Sequence, residues 1–245
     1  MKECSKSISR RMRDPNFINY YFSGDGLDIG GAPDPLSLYA ELFSNMTSIK
    51  TWDWPDGDAQ YLASVVDASF DFVHSSHCLE HLRDPFEGIK NWIRVLKPGG
   101  YLVVSVPDED LYEQGIWPSN KNLDHKHSFT IYKPTSWCEA SINIVDILSY
   151  LGSDIEVIRI ELLNSSYRYS IPNFDQTLTP IGECGIEFVL RKRSCDESFG
   201  INSVRNLTEQ PDQAMRIHLN QYSDDLTSLK ASNRNFPPFT NDSDI

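Results

Sequence analysis

The chain has 245 residues, with 22 Lys and Arg against 35 Asp and Glu, for a formal net charge of −13. Its 40% hydrophobic content and mean hydropathy of −0.40 belong to a globular chain long enough to bury its own core. The acidic balance excludes a non-specific nucleic-acid binder, which needs a basic surface to displace counterions.

No apolar run reaches the roughly 18 residues of a membrane span, and the start carries no apolar signal-peptide region. The five cysteines, Cys4, Cys78, Cys138, Cys184 and Cys195, form no CxxC pair. They read as free thiols in a reducing compartment, so the expected location is cytoplasmic. Three regions are expected. Residues 1–23 are a polar and aromatic extension with Arg10, Arg11 and Arg13, then Phe17, Tyr20, Tyr21 and Phe22. Residues 24–193 form the main domain. Residues 194–245, rich in Asn, Ser, Asp and Pro, are expected to be a flexible tail with one short helix around 212–230.

In chain order, Leu27–Ile29 reads as a strand ending in Gly30-Gly31. Pro35–Met46 reads as a helix, with Leu36, Tyr39, Ala40 and Phe43 on one face. Ser48–Asp53 and Ser69–Ser75 read as strands. Asp84 is a good N-cap for the next helix, with Pro85 at its first position and Glu87 placed for a capping box. Its apolar face is Phe86, Ile89, Ile93 and Leu96, and Lys97-Pro98-Gly99-Gly100 ends it. Tyr101–Val106 is a nearly unbroken apolar strand, as in a sheet buried on both faces. A helix over Ser141–Leu151 and strands over Ile155–Leu163 and Gly185–Leu190 complete the pattern. Periods near 2 alternate with periods near 3.6, which predicts an α/β fold with a doubly wound, Rossmann-like sheet.

The chemistry clusters at strand ends. Gly30 and Gly31 follow the first strand, where glycines let a backbone approach a ligand. Asp53 ends the second strand, the usual place for a carboxylate that binds ribose hydroxyls, and Asp58 can accept from an adenine amino group. The GxGxxG pattern fails, since Gly31 is followed by Ala32, Pro33 and Asp34. A nucleoside cofactor without a pyrophosphate fits better than NAD.

Taken together, Leu27-Asp-Ile-Gly-Gly, Gly57-Asp-Ala-Gln, the run from Ser69 to Leu82 with its Leu79-Glu-His-Leu, and Arg94-Val-Leu-Lys-Pro-Gly-Gly resemble class I S-adenosylmethionine-dependent methyltransferases of the small type-11 group. The resemblance covers residues 24–133 well and extends more loosely to 193. It implies a seven-stranded sheet in the order 3-2-1-4-5-7-6 with the last strand antiparallel. The Asp53–Asp58 segment is too short for the usual helix and third strand, so either that part of the sheet is trimmed or one of the two acids has a different job. It also implies S-adenosylmethionine as cofactor, held by Asp28, Gly30, Gly31, Asp53, Asp58, Ala59, Ser75 and Ser76.

The acceptor side draws on the loops after the fifth strand. His125 is the first candidate for a general base, with Asp124 as its orienting carboxylate, and His77 is the second. Tyr112, Trp117 and His127 are candidates for binding the acceptor. A metal at His74, His77 and His81 is rejected, because His74 falls inside a strand, and no metal is expected. The reading is transfer of a methyl group to oxygen of a small-molecule or carbohydrate-type (glycan-precursor) acceptor, by in-line displacement with a His general base. A non-catalytic module that binds the cofactor is the alternative.

Overall fold

The apolar run Tyr101–Val106 becomes the middle of a sheet in the computed structural model, which describes residues 2–171 and 173–194. In chain order the elements are α1 (Glu3–Arg11), β1 (Gly24–Ile29), β2 (Met46–Trp52), β3 (Phe70–Ser76), α2 (Pro85–Arg94), β4 (Leu96–Pro107), β5 (Ser128–Thr130), β6 (Ser141–Asn143), α3 (Ile144–Tyr150), β7 (Ile155–Leu163) and β8 (Gly185–Lys192). The main sheet has six strands in the order β2-β1-β3-β4-β8-β7, and β5 pairs with β6 in a separate two-stranded sheet. β8 runs antiparallel to both neighbours, while the other main-sheet pairings are parallel.

This is the expected order without its first strand, so six strands replace the expected seven. Residues 53–69 turn instead of extending. Asp53 caps a 3-10 turn over Trp54–Asp56, accepting from Trp54 N at 2.8 Å while its own N–H donates to Asp56. Left-handed backbone at Leu62 and Ala68 bends the rest back toward β3.

Two further elements differ from expectation. Leu36–Leu42 is a 3-10 spiral, not an α-helix. A 3-10 spiral rises about 2.0 Å per residue against about 1.5 Å, so a short segment returns the chain along the sheet to β2. Asp28 holds its start by accepting from Leu36 N at 2.7 Å. The expected helix over Ser141–Leu151 begins only at Ile144, because Ser141–Asn143 pairs with β5. The strong N-cap at Asp84 is present, with its side chain accepting from Phe86 N and Glu87 N. No reciprocal capping box forms. Asp84 N donates to Gln60 instead, and Glu87 accepts from Asn91.

Alternation along β4 divides the core. Leu102, Val104 and Val106 pack with Ile89 and Trp92 of α2 and with Ile144 and Ile147 of α3. Val103 faces the other way and packs with Phe17, Phe22, Leu36 and Phe43. Residues of the N-terminal extension, among them Cys4, Phe17, Tyr21 and Phe22, therefore help build the second layer of the fold. The expected tail, from residue 195 onward, lies outside the described residues.

One buried polar chain ties that second layer to the sheet. Arg11 is fully buried and donates through Nε and Nη2 to Glu187 of β8, at 3.1 and 2.7 Å. Its Nη1 lies 3.0 Å from His74 Nε2 in β3. Arginine only donates, so His74 Nε2 accepts and its Nδ1–H donates to Asp28 of β1 at 2.6 Å. Burial drives the His74 pKa down, Arg11 adds to this, and Asp28 only partly opposes it. Arg10 and Arg159 also bond Glu187. Burial alone would raise the Glu187 carboxyl, but Arg11 and Arg10 outweigh it and hold the pKa far below the carboxylate range.

Arg11→Met leaves Glu187 and His74 buried without their central donor. The expected loss is about 3–5 kcal/mol of unfolding free energy, measured by urea denaturation. Because the Glu187 pKa is depressed on folding, its stabilisation is full above the ordinary glutamate value of 4.5 and is lost as pH falls below it. Glu187→Gln should therefore be less stable at neutral pH, and its stability should change less on acidification than that of the parent.

Candidate active site

Two adjoining cavities open at the carboxyl ends of β1, β2 and β3. The loop between β1 and the 3-10 spiral separates them. Gly30 has φ 71°, and a Cβ there would stand 2.6 Å from the Cys78 Cβ. A Cβ on Gly31 would stand 2.4 Å from Asp28 Oδ2. The protein's own packing thus requires both glycines, and the same bare backbone forms a wall of the cavities.

The larger cavity, about 580 Å³, is bounded by Trp52, Asp53, Asp58, Ala59, Gln60 and Leu82. The smaller, about 180 Å³, is bounded by Glu3, Asp28, Asp34, Ser76, Glu80 and His125, among others. Gly30, Ala32, His77 and His81 line both. Together they have the size of a cofactor pocket with a small adjoining chamber.

The acids and histidines of the smaller cavity come from three segments. Glu3 arrives on α1, whose other end is anchored by Arg11. His77, Glu80 and His81 lie on the turn that follows β3. His77 keeps the β3–β4 ladder going, donating its N–H to Ser105 O at 2.9 Å, but its φ is 55°. This left-handed conformation turns the chain sharply into the 3-10 turn Leu79–His81. His125 comes from a loop clamped to that turn, since Lys126 N and His127 N both donate to the Glu80 carbonyl, at 2.9 and 3.2 Å.

His77 Nδ1 lies 3.2 Å from Glu80 Oε1, and its Nε2 lies 3.9 Å from Glu3 Oε2. Burial lowers the His77 pKa, but Glu80 and Glu3 outweigh it, and the net shift is upward. Burial raises the Glu80 pKa, but His77 outweighs it, and the net shift is downward. His125 Nδ1 donates to Glu113 at 2.9 Å.

The structure sorts the residues singled out in the sequence. Gly30, Gly31, Asp28 and Ser76 line the smaller cavity, and Asp53, Asp58 and Ala59 line the larger. Asp28 has both carboxylate oxygens engaged, with His74 and Leu36 N, so it braces the loop. Asp53 Oδ2 accepts from Ala32 N at 3.0 Å, which ties the glycine loop to the end of β2. Ser75 is fully buried and donates to Ile29 O, so it pins β3 to β1 and lines neither cavity.

On the acceptor side, Asp124 pairs with His81 at 3.0 Å, and the carboxylate that orients His125 is Glu113. Tyr112 is buried beside His125, with ring centroids 5.2 Å apart, and backs the cavity without lining it. Trp117 and His127 line neither cavity, and the His127 ring lies against the Arg83 carbonyl. Glu3 and Glu113 carried no local sequence signal. Glu80 and His81 stand inside the Leu79-Glu-His-Leu motif, which marks the family and by itself gives neither residue a role.

A family model described as a methyltransferase domain matches residues 10–141. The chain belongs to this methyltransferase family. It is a class I S-adenosylmethionine-dependent methyltransferase. No curated protein matches it. Among solved structures, a protein of Bacillus halodurans described as a methyltransferase is 14% identical, with a TM-score of 0.50 over 76% of this chain and 99% of its own. That likeness supports the fold. A S-adenosylmethionine-dependent methyltransferase from Archaeoglobus fulgidus is 17% identical, with a TM-score of 0.46 over 76% of this chain and 94% of its own.

The methyltransferase has a site that suits the family's cofactor. S-adenosylmethionine carries a cationic sulfonium, and His77, in the wall common to both cavities, lies 3.9 Å from the Glu3 carboxylate and 3.2 Å from that of Glu80, so negative charge stands beside the junction. The larger cavity combines the apolar Trp52 and Leu82 with the acceptor groups of Asp53 and Asp58, a mixture that suits a nucleoside.

Gly30→Val forces a side chain onto Cys78 at a left-handed backbone position. The expected result is a lowered Tm together with at least tenfold weaker binding of S-adenosylhomocysteine by calorimetry. Parent-like affinity would show that the glycine loop does not border the cofactor.

Proposed function

We propose that the methyltransferase binds the nucleoside part of S-adenosylmethionine in the larger cavity and a small hydroxyl-bearing acceptor in the smaller one. The methyl group would be transferred to oxygen. Asp53 would hold the ribose hydroxyls, Asp58 and Ala59 the adenine, and the Gly30-Gly31 loop the methionine end. When bound, the cofactor supplies an electrophilic methyl on a sulfonium, and the protein's task is alignment.

The observation that carries this reading is that His77 lines both cavities. A group at their junction faces the point where donor and acceptor meet. Its Nδ1 is turned to Glu80, while Nε2 makes no close bond, the nearest carboxylate being Glu3 at 3.9 Å. His77 Nε2 therefore takes the hydroxyl proton in this proposal, and Glu80 fixes the ring and balances the imidazolium. His125, first choice from the sequence, borders the smaller cavity only and has its Nδ1 bound to Glu113. The modest volume of the smaller cavity favours a small acceptor or the exposed end of a glycan precursor.

Calorimetry with S-adenosylmethionine, S-adenosylhomocysteine and NAD tests the cofactor assignment, with binding of the first two and none of NAD expected. Asp53→Ala should weaken S-adenosylhomocysteine about tenfold or more. His77→Gln should lower kcat by roughly 10²–10⁴-fold in a methyl-transfer assay, the range for loss of a general base, with little change in S-adenosylhomocysteine affinity. An unchanged kcat would remove His77 from this role.

A further inference from the structure

Glu80 is fully buried; its Oε1 lies 3.2 Å from His77 Nδ1, off the line of a well-formed hydrogen bond, and its Oε2 finds no donor among the described residues. A buried carboxylate with an oxygen left without a donor is costly, and the second oxygen of Glu80 asks for a cation or donor beyond His77. Besides His77, two more imidazoles stand beside it, those of His81 and His125. One ligand atom from each of Glu80, His81 and His125 lies within 4.8 Å of the other two. All three residues line the smaller cavity.

The outer contacts of both histidines suit metal binding. His125 Nδ1 donates to Glu113 at 2.9 Å, which leaves Nε2 as the free ligand atom, 3.9 Å from Glu80 Oε1. His81 Nδ1 lies 3.1 Å from the Asp124 carbonyl and 3.0 Å from its carboxylate, which likewise leaves Nε2 free. The two rings are 5.0 Å apart and close to perpendicular, at 70°. A metal-binding histidine ordinarily has its second nitrogen held by a carboxylate or carbonyl in this way. The backbone clamp from Lys126 and His127 to the Glu80 carbonyl fixes the loop of His125 against the turn of Glu80 and His81. This ligand set differs from the His74, His77 and His81 set rejected from the sequence.

We propose that Glu80, His81 and His125 form a site for a divalent transition-metal ion. Two imidazoles and one carboxylate match Zn²⁺, Mn²⁺ or Fe²⁺, whereas Mg²⁺ and Ca²⁺ prefer all-oxygen shells. Three protein ligands leave coordination positions open toward the cavity. If the methyl-transfer reading holds, an oxygen of the acceptor would occupy one of them, and the ion would orient it. The site itself does not depend on that reading.

The test uses the untagged full-length protein, stripped with a chelator and titrated with ZnCl₂ and MnCl₂ by calorimetry, and with CoCl₂ followed by visible absorption. One tight equivalent is expected for Zn²⁺, with d–d bands for Co²⁺. Glu80→Gln and His81→Ala should each weaken binding at least 100-fold, and Glu113→Gln roughly 10–100-fold through the lost outer contact. Circular dichroism checks that each variant is folded. If His125→Ala does not fold, the Glu80 and His81 variants decide. Absence of tight binding to the parent, or parent-like binding in both of those variants, overturns the site. S-adenosylhomocysteine binding by the stripped protein is measured alongside, so that failure of the metal site and failure of the cofactor reading are told apart.

Discussion

The fold hangs on a buried arginine. Arg11 reaches from the second layer to Glu187 of β8 and His74 of β3, and His74 passes the contact on to Asp28 of β1. Breaking a chain of this kind leaves charges buried without partners, which costs far more than losing a surface pair. Phe17 and Phe22 cover the guanidinium, at 5.4 and 5.5 Å, and keep water away. The network connects strands that are distant in sequence, so it sets where α1 lies on the sheet. The far end of α1 brings Glu3 and Cys4 to the smaller cavity. Burial pushes the Cys4 thiol up to about 12, which keeps it an inert packing group there.

The site inherits its geometry from this frame. Asp28, the terminus of the polar chain, also accepts from Leu36 N and so fixes the glycine loop at both ends. The strained turn at His77 ends β3 one residue past the ladder and aims three ionisable side chains, His77, Glu80 and His81, into one space. His77 and Glu80, 3.2 Å apart, shift one another against the effect of burial, the imidazole upward and the carboxyl downward, a coupling common at working sites. The acceptor loop reaches this space because its backbone donates to the Glu80 carbonyl, so the same turn supplies both side chains and docking point.

Local patterns predicted much of this. The strands around β3, β4, β7 and β8 follow from unbroken or alternating apolar runs, and α2 follows from its Asp84 cap and Pro85. The glycine pair and the Leu79-Glu80-His81-Leu82 run pointed to the family, and both segments border the cavities at the strand ends. The misses occurred where a tertiary contact overrode local preference. Leu36–Leu42 has a helical apolar period but winds as a 3-10 spiral with its first N–H held by Asp28. Ser75 has the position of a cofactor-lining residue but donates to Ile29 O. Asp124 is adjacent in sequence to His125 but pairs with His81, while Glu113 orients His125 from a neighbouring turn.

By itself the sequence determined most element types and the family, because these depend on residues close together in the chain or on motifs of fixed spacing, and the family resemblance in turn implied the order of the central strands. Only the tertiary structure decided that residues 3–22 form a layer of the core, that the main sheet of the described residues stops at six strands, and that Glu3, His77, Glu80, His81 and His125 line one cavity with Glu113 held against His125. Those outcomes rest on pairings across the chain, such as Arg11 with Glu187 and Glu113 with His125. Local periodicity and propensity carry no record of such pairings, since the free energy that selects them arises only once both partners have left water together.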